Sequence, residues 1–156
     1  MRCVAMDELA VSGSPEVATV GGPDTLNDVL ATSDVVAICC PLTDATRHLF
    51  DDSAFGRMKR GAIVVNVTRG EIVDGEALVR ALTSGQLGGA ALDVAPEEPL
   101  PPEHPLWSLD NVVMTPHTAG ASQHRAPRNV ARFCTNLHRF REGAELEGVV
   151  DKKLGY

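Results

Sequence analysis

The sequence contains no long apolar segment and no excess of positive charge. Its longest uninterrupted apolar run is Val35–Cys40, far shorter than the ~20 residues that span a bilayer. No basic segment followed by an apolar one opens the chain. The formal net charge is −7, so the surface repels nucleic-acid phosphates and anionic membranes. We therefore expect a soluble protein of the cytoplasm that has no nucleic-acid or membrane partner.

Cysteine pairs in a CxxC pattern are also absent. The four cysteines are Cys3, Cys39, Cys40 and Cys134. Without a secretory context or metal-ligand spacing, they indicate neither a disulfide framework nor a zinc site. We expect them to be buried as small apolar side chains. The histidines other than His117 show no metal-ligand spacing either, so no metal is expected.

Short apolar runs alternate with helical patterns along the chain. With 156 residues, 44% of them apolar and 22% charged, one domain with a real core is expected. The alternation is typical of βαβ units and a parallel sheet. The runs lack polar alternation, which predicts strands covered on both faces. The predicted strands are Cys3–Met6, Val35–Cys40, Ala62–Val67, Ala90–Val94 and Val112–Thr115.

Helical patterns fill several of the intervals between these strands. The clearest is DGEALVRALTSG, in which Asp74 can cap the first turn and Gly85 can end the helix. A helical segment opened by Asp24 and a short helix over Ser53–Lys59 precede it. A final helix has one apolar side, with Pro127 either in its first turn or at a kink. That side carries Val130, Phe133, Cys134 and Leu137.

Polar or conformationally special residues follow every predicted strand. In an open parallel sheet, ligands bind beyond the carboxyl ends of the strands, so these residues are candidates for one common site. Five strands that each deliver such a residue to one edge are hard to obtain by chance, although each residue alone has an ordinary explanation. The residues are Asp7, Pro41, Thr43, Thr68, Arg69, Asp93, Glu98 and His117.

Arg69, Glu98 and His117 are the candidates for chemistry at this edge. Arg69 could be solvated or paired with Glu71, but its planar guanidinium suits a carboxylate ligand. A lone histidine more often has a packing or surface role, yet His117 precedes a TAG turn that lets backbone approach a ligand. Glu98 beside His117 would orient the ring and favour the protonated form that a hydroxyl–carbonyl interconversion needs. Asp93, a charge at an apolar strand end, should have a partner.

Four strings of the sequence resemble one enzyme family. The nucleotide-binding domain of the D-isomer-specific 2-hydroxyacid dehydrogenases carries similar strings in the same order and spacing. They are DVVAICCPLTDATRHLF, MKRGAIVVNVTRGEIVDGEALVRAL, GGAALDVAPEEPLPPEHPLW and NVVMTPHTAG. The resemblance runs from about Asp24 to the end of the chain. It implies an α/β, Rossmann-like parallel sheet with flanking helices, and hydride transfer between NAD and C2 of a small 2-hydroxy or 2-oxo acid.

The same resemblance assigns roles to individual residues. Arg69 would bind the substrate carboxylate and carbonyl, His117 would be the acid/base, and Glu98 would tune His117. Asp7 would hold the adenosine ribose and favour NAD over NADP by repelling the extra phosphate. Asp93 would contact the nicotinamide carboxamide. The other residues expected along the cofactor are Pro41, Thr43, Val67, Thr68, Ala119 and Gly120, together with His117.

Two parts of the family pattern are absent from the sequence. No GxGxxG loop precedes Cys3–Met6, and Gly85, Gly88 and Gly89 have the wrong spacing for one. The substrate domain is absent as well. We therefore expect 1–156 to be a partial dinucleotide-binding domain, with 121–156 as its C-terminal helix and tail, from a fragment or a truncated gene product.

These absences predict weak NAD binding and slow or no turnover. The pyrophosphate would lose its main amide donors, and the site would stay open to water. Two other functions remain open. One is a non-catalytic, NAD-responsive binding module similar to transcriptional corepressors, and the other is a pseudoenzyme that dimerises with a full-length relative. A homodimer is the further protein partnership that we consider.

Overall fold

The computed structural model describes residues 1–9 and 13–156, and these contain six strands and four α-helices. The strands are β1 (Cys3–Met6), β2 (Val17–Gly21), β3 (Val35–Ile38), β4 (Ala62–Asn66), β5 (Leu87–Leu92) and β6 (Val112–Met114). The helices are α1 (Leu26–Thr32), α2 (Asp52–Arg57), α3 (Gly75–Thr83) and α4 (Arg125–Arg141). The chain forms two compact units, Met1–His117 and Thr118–Tyr156. The assignment of 1–156 to one partial dinucleotide-binding domain stays a prediction.

All strand pairs of the first unit are parallel, as predicted. β1 pairs with β2, and β3, β4, β5 and β6 form a second sheet in that order. Neighbours in this four-stranded sheet are also neighbours in sequence, and crossovers between parallel strands are right-handed. The connecting helices therefore collect on one face of the sheet. The predicted α/β, Rossmann-like architecture is confirmed.

One face of the four-stranded sheet carries the core of the first unit. Val36, Val64 and Ala90 lie side by side on this face in β3, β4 and β5, and all are buried. The helices cover them with fully buried side chains, among them Phe55 of α2 and Leu78 of α3. Burial of such side chains contributes about 1.5–3 kcal/mol each, so this core is a major source of stability for the first unit.

The opposite face of the same sheet is exposed. Val35 of β3 is 50% exposed, Ile63 of β4 42% and Val113 of β6 67%. The prediction that the strands are covered on both faces is therefore wrong. The physical reason is the strand order, because successive right-handed crossovers in one direction place the helices on the same side.

Several strands differ from the sequence-based prediction. β3, β4 and β6 end one or two residues earlier than predicted, at Ile38, Asn66 and Met114. β5 begins at Leu87, three residues before the predicted Ala90, so it includes Gly88. Glycine usually weakens a strand, but here a Cβ at Gly88 would lie 2.4 Å from the Gly61 carbonyl oxygen. The close approach of the backbone therefore requires glycine. β2 (Val17–Gly21) was not predicted, although its β-branched residues between turn residues are a signal for a strand.

Two helices of the first unit, α2 and α3, begin at aspartate caps. Asp74 accepts a hydrogen bond from the Ala77 N–H at 2.9 Å and begins α3, as predicted. Asp51 makes the same bond to Ala54 at 2.9 Å, so α2 begins at Asp52, one residue before the predicted start. Each cap gives a hydrogen-bond acceptor to one of the amides that the first turn leaves unpaired.

The second unit consists of α4 and a tail that returns along it. Pro127 lies in the first turn of α4, which settles the alternative that the sequence left open. Asn136 and Arg139 hold the tail by hydrogen bonds to Glu147, at 2.9–3.0 Å. The apolar side of α4 is exposed, with Val130 at 62% and Phe133 at 67%.

The cysteines are less buried than expected. Cys39 and Cys134 are exposed, while Cys3 and Cys40 are half-buried, so the prediction of four buried thiols is wrong. Cys39 continues the alternation of β3 onto the open face of the sheet, and Cys134 lies on α4. Along the described residues, no helix combines the length and apolar character that a bilayer crossing needs.

Candidate active site

A pocket lies where the loops after β4 and β5 meet the end of β6. Its volume is about 350 Å³. Because β4, β5 and β6 are parallel, their carboxyl ends share one edge of the sheet, and the pocket lies at that edge. The structure therefore brings together Arg69, Glu98 and His117, the three residues singled out for chemistry. The residues that line the pocket are Arg69, Gly70, Glu71, Ala95, Pro96, Glu97, Glu98 and His117.

Glu98 and His117 form the expected contact. Glu98 Oε2 lies 2.8 Å from His117 Nδ1, and Glu98 Oε1 accepts a hydrogen bond from the Ala95 N–H at 2.9 Å. The hydrogen bond from His117 lowers the pKa of the Glu98 carboxyl below its ordinary value, because the bond stabilises the charged form. The carboxylate is therefore held in its ionised state with both oxygens engaged.

The backbone of His117 adopts a left-handed conformation, with φ of 54°. Such a conformation costs about 1–3 kcal/mol in a residue other than glycine, so the surrounding contacts must hold it. The His117 N–H donates to the Thr115 carbonyl at 3.0 Å. The Thr115 hydroxyl in turn donates to Asp93 Oδ1 at 2.5 Å. Asp93 is only 6% exposed, and the Thr115 hydroxyl is a hydrogen-bond partner of the kind that a buried carboxylate requires.

Arg69 follows β4 and is exposed at the mouth of the pocket. Its Nη1 donates to the Thr68 carbonyl at 2.7 Å. The next residue, Gly70, is packed so tightly that a Cβ there would lie 1.6 Å from the Ala95 carbonyl oxygen. The β4 loop is therefore pressed against the β5 loop, and this contact sets how Arg69 enters the pocket.

The other predicted cofactor residues lie at the ends of β1, β3 and β4. Asp7 follows β1, and its Oδ1 accepts a hydrogen bond from the Leu9 N–H at 2.8 Å. After β3, the Thr46 hydroxyl donates to the Pro41 carbonyl at 2.7 Å and accepts a hydrogen bond from the Thr43 N–H at 2.8 Å. Val67 and Thr68 follow β4, with Val67 42% exposed. Ala119 and Gly120 belong to the second unit.

Two of these residues have chemistry that a dinucleotide could use. A carboxylate after β1 suits ribose hydroxyls, and the buried Asp93 beside the pocket suits a carboxamide. Among the described residues, no group of three or more His, Cys, Asp or Glu side chains could hold a metal ion.

Two residues of the site were not predicted from the sequence. Asn66 is a buried polar residue at the end of β4, and Thr115 links Asp93 to the backbone that carries His117. Asn66 had a detectable signal, since it interrupts the apolar string IVVNV. Thr115 had none, because its role depends on a hydrogen bond between two strands.

The chain matches a known protein family over most of its length. Residues 1–119 match the NAD binding domain of the D-isomer specific 2-hydroxyacid dehydrogenases. A glyoxylate reductase from Aeropyrum pernix is 45% identical over 130 residues, which is 83% of this chain and 39% of that protein. A glyoxylate/hydroxypyruvate reductase B from Citrobacter koseri is 45% identical over 106 residues, 68% of this chain and 32% of that protein.

Solved structures of the same family have a similar fold. An enzyme of Xanthobacter autotrophicus, crystallised with NADPH and MES, superposes with a TM-score of 0.90 at 31% identity over 100% of this chain and 73% of that chain. An NADPH-dependent glyoxylate/hydroxypyruvate reductase of Sinorhizobium meliloti, in complex with NADP and sulfate, gives 0.87 at 32% identity, over 98% of this chain and 49% of that one. The chain spans about two fifths of the length of the glyoxylate reductases that it matches. The chain belongs to the D-isomer specific 2-hydroxyacid dehydrogenase family.

Proposed function

We propose that this chain provides the acid–base and carboxylate-binding side of an oxidoreductase that interconverts a small 2-hydroxy acid and its 2-oxo acid with NAD. The observation that carries the proposal is the placement of Arg69, Glu98 and His117 on one pocket, with Glu98 and His117 in contact at 2.8 Å. A surface role for His117 would not require a carboxylate partner from another loop.

The geometry supports a separate task for each side chain. The Arg69 guanidinium binds the carboxylate of the 2-oxo acid and orients its carbonyl. Since Nδ1 of His117 is engaged by Glu98, Nε2 is the atom that donates a proton to the carbonyl oxygen. Glu98 keeps the ring in that orientation. NADH, when bound, supplies the hydride that C2 receives.

Glyoxylate is the substrate that we propose to test first. A pocket of about 350 Å³ supports a small acid, and two relatives carry glyoxylate in their names. The experiment follows NADH oxidation at high protein concentration with glyoxylate. We expect His117→Gln to lower the rate by about 100-fold or more. The matched control is His124→Gln, at an exposed histidine of the second unit.

The outcome separates this proposal from its main competitor. Equal, measurable rates in the wild type and His117→Gln would contradict the proposal. A non-catalytic NAD-binding interaction module is the competitor, and the exposed apolar side of α4 favours it. That module would change its oligomeric state with NAD and show no NADH oxidation, which sedimentation velocity with and without NAD would detect.

A further inference from the structure

Asn66 is the polar side chain most deeply buried beside the site. It is 1% exposed and ends β4, whose preceding residues Ala62–Val65 are all apolar. Its Nδ2 donates to the Arg69 carbonyl at 2.9 Å. Its Oδ1 accepts from the Thr68 N–H at 3.1 Å and from the Thr68 hydroxyl at 3.2 Å. The Asn66 carboxamide therefore bonds to both Thr68 and Arg69, in the loop after β4.

The main chain of Asn66 holds the neighbouring loop as well. Its carbonyl accepts a hydrogen bond from the Asp93 N–H at 2.9 Å, where β5 ends. Asn66 thus connects the end of β4 to the end of β5, the two loops that line the pocket. Gly70, the residue after Arg69, packs tightly against the backbone of Ala95. Arg69 is therefore fixed from both directions, by the Asn66 amide before it and by this contact after it.

We infer that Asn66 is a positioning residue. It holds Arg69 in place and does not itself contact the substrate. The inference rests on the proposed function, because it assigns Arg69 to the substrate carboxylate. A hydrogen-bonding side chain is required here, since any apolar residue would leave the Arg69 carbonyl and the Thr68 N–H without this partner. A carboxylate cannot replace the amide either, because it has no N–H to donate to Arg69.

Asn66→Asp is the test variant, because it keeps the acceptor oxygen for Thr68 and replaces the donor to Arg69 with a carboxylate oxygen. The matched control is Gln86→Glu. Gln86 Nε2 donates to the carbonyls of Phe55 and Met58 at 2.8 and 2.9 Å, just before β5 and therefore at the opposite end of the strand from the pocket. Both variants change a carboxamide to a carboxylate facing backbone carbonyls, so a loss of stability alone affects both.

The measurement is NMR on the full chain. Glyoxylate is titrated while the Arg69 Nε–Hε signal and the backbone amides of Thr68 and Arg69 are followed. We expect Asn66→Asp to weaken glyoxylate binding by about 10- to 100-fold and to shift these signals before any ligand is added. Gln86→Glu should leave both unchanged. In an Arg69→Gln background, Asn66→Asp should cause no further loss of binding, because the two changes act through the same group.

The outcomes distinguish a failure of the role of Asn66 from a failure of the proposed function. Wild-type affinity for glyoxylate in Asn66→Asp would overturn the inference, as would equal losses in the two carboxylate variants. If the wild type does not bind glyoxylate, the proposed substrate is wrong. The free-protein signals then decide whether Asn66 positions Arg69. Unchanged Thr68 and Arg69 signals in Asn66→Asp would overturn that role too.

Discussion

Glu98 Oε2 and His117 Nδ1 lie 2.8 Å apart, although the two residues are separated by 19 positions in the sequence. Glu98 is on the loop after β5, and His117 follows β6, so the pairing of these two parallel strands brings them together. This contact has a measurable consequence for stability, because the bond lowers the pKa of Glu98 in the folded chain.

We predict that Glu98→Gln reduces the loss of stability at acid pH. A carboxyl whose pKa is lower in the folded state stabilises the fold above its ordinary pKa of about 4.3. That stabilisation is lost as the pH falls through the lowered value. Because the side chain is 39% exposed, we expect no more than about 1 kcal/mol. Urea unfolding of wild type and variant on both sides of that pH measures it.

The neighbouring carboxylate supplies the control for this pH effect. Glu97 also lines the pocket and is exposed, so Glu97→Gln removes the same charge one residue away. We expect its stability profile to keep the wild-type pH dependence. Identical profiles for Glu97→Gln and Glu98→Gln would mean that net charge, not the bond to His117, causes the effect.

Gly70→Ala should unfold the region around the pocket. The new Cβ would lie 1.6 Å from the Ala95 carbonyl oxygen, and neither backbone can move without separating the β4 and β5 loops. We expect a loss of about 3 kcal/mol or more in the free energy of unfolding. Gly56→Ala is the matched control, since Gly56 is in α2 with no atom near its Cβ position. It should be neutral or stabilising by about 1 kcal/mol.

The location of the site could be predicted from the sequence because it follows from strand polarity. Arg69 and His117 each come after an apolar run, and parallel strands bring their carboxyl ends to one edge. The same reasoning placed the acidic loop after β5 at this edge, because short apolar runs and proline-rich segments indicate the order of strands and loops. Among the carboxylates of that loop, the resemblance to the dehydrogenase family singled out Glu98.

The remaining features depend on contacts that no local pattern contains. The bonds from Asn66 to Thr68 and Arg69 arise from side-chain direction at the end of β4. The open face of the sheet arises from strand order, because apolar runs such as Val35–Ile38 look the same whether one face or both are covered. The left-handed backbone of His117 is likewise set by its neighbours and not by its residue type.

Asp7→Ser should change the choice between NAD and NADP. The carboxylate follows β1, where it would repel a phosphate on the adenosine ribose. We expect the ratio of NADP affinity to NAD affinity to rise by about tenfold or more, as measured by calorimetric titration with each cofactor. Glu8→Gln is the adjacent control. An equal change of the ratio in Glu8→Gln would show that general negative charge at this edge, and not Asp7, disfavours NADP.

The same substitution should lower stability on the covered face of the sheet and leave it nearly unchanged on the open face. Val113 of β6 is 67% exposed on the open face, whereas Val64 of β4 is fully buried against the helices. Valine and threonine have similar shapes and strand preferences, so Val→Thr chiefly adds a hydroxyl. We expect Val64→Thr to cost about 1–3 kcal/mol, because the hydroxyl is buried in the core. Val113→Thr should stay within about 0.5 kcal/mol of wild type, and a comparable loss at both positions in urea unfolding would mean that the open face is covered in solution.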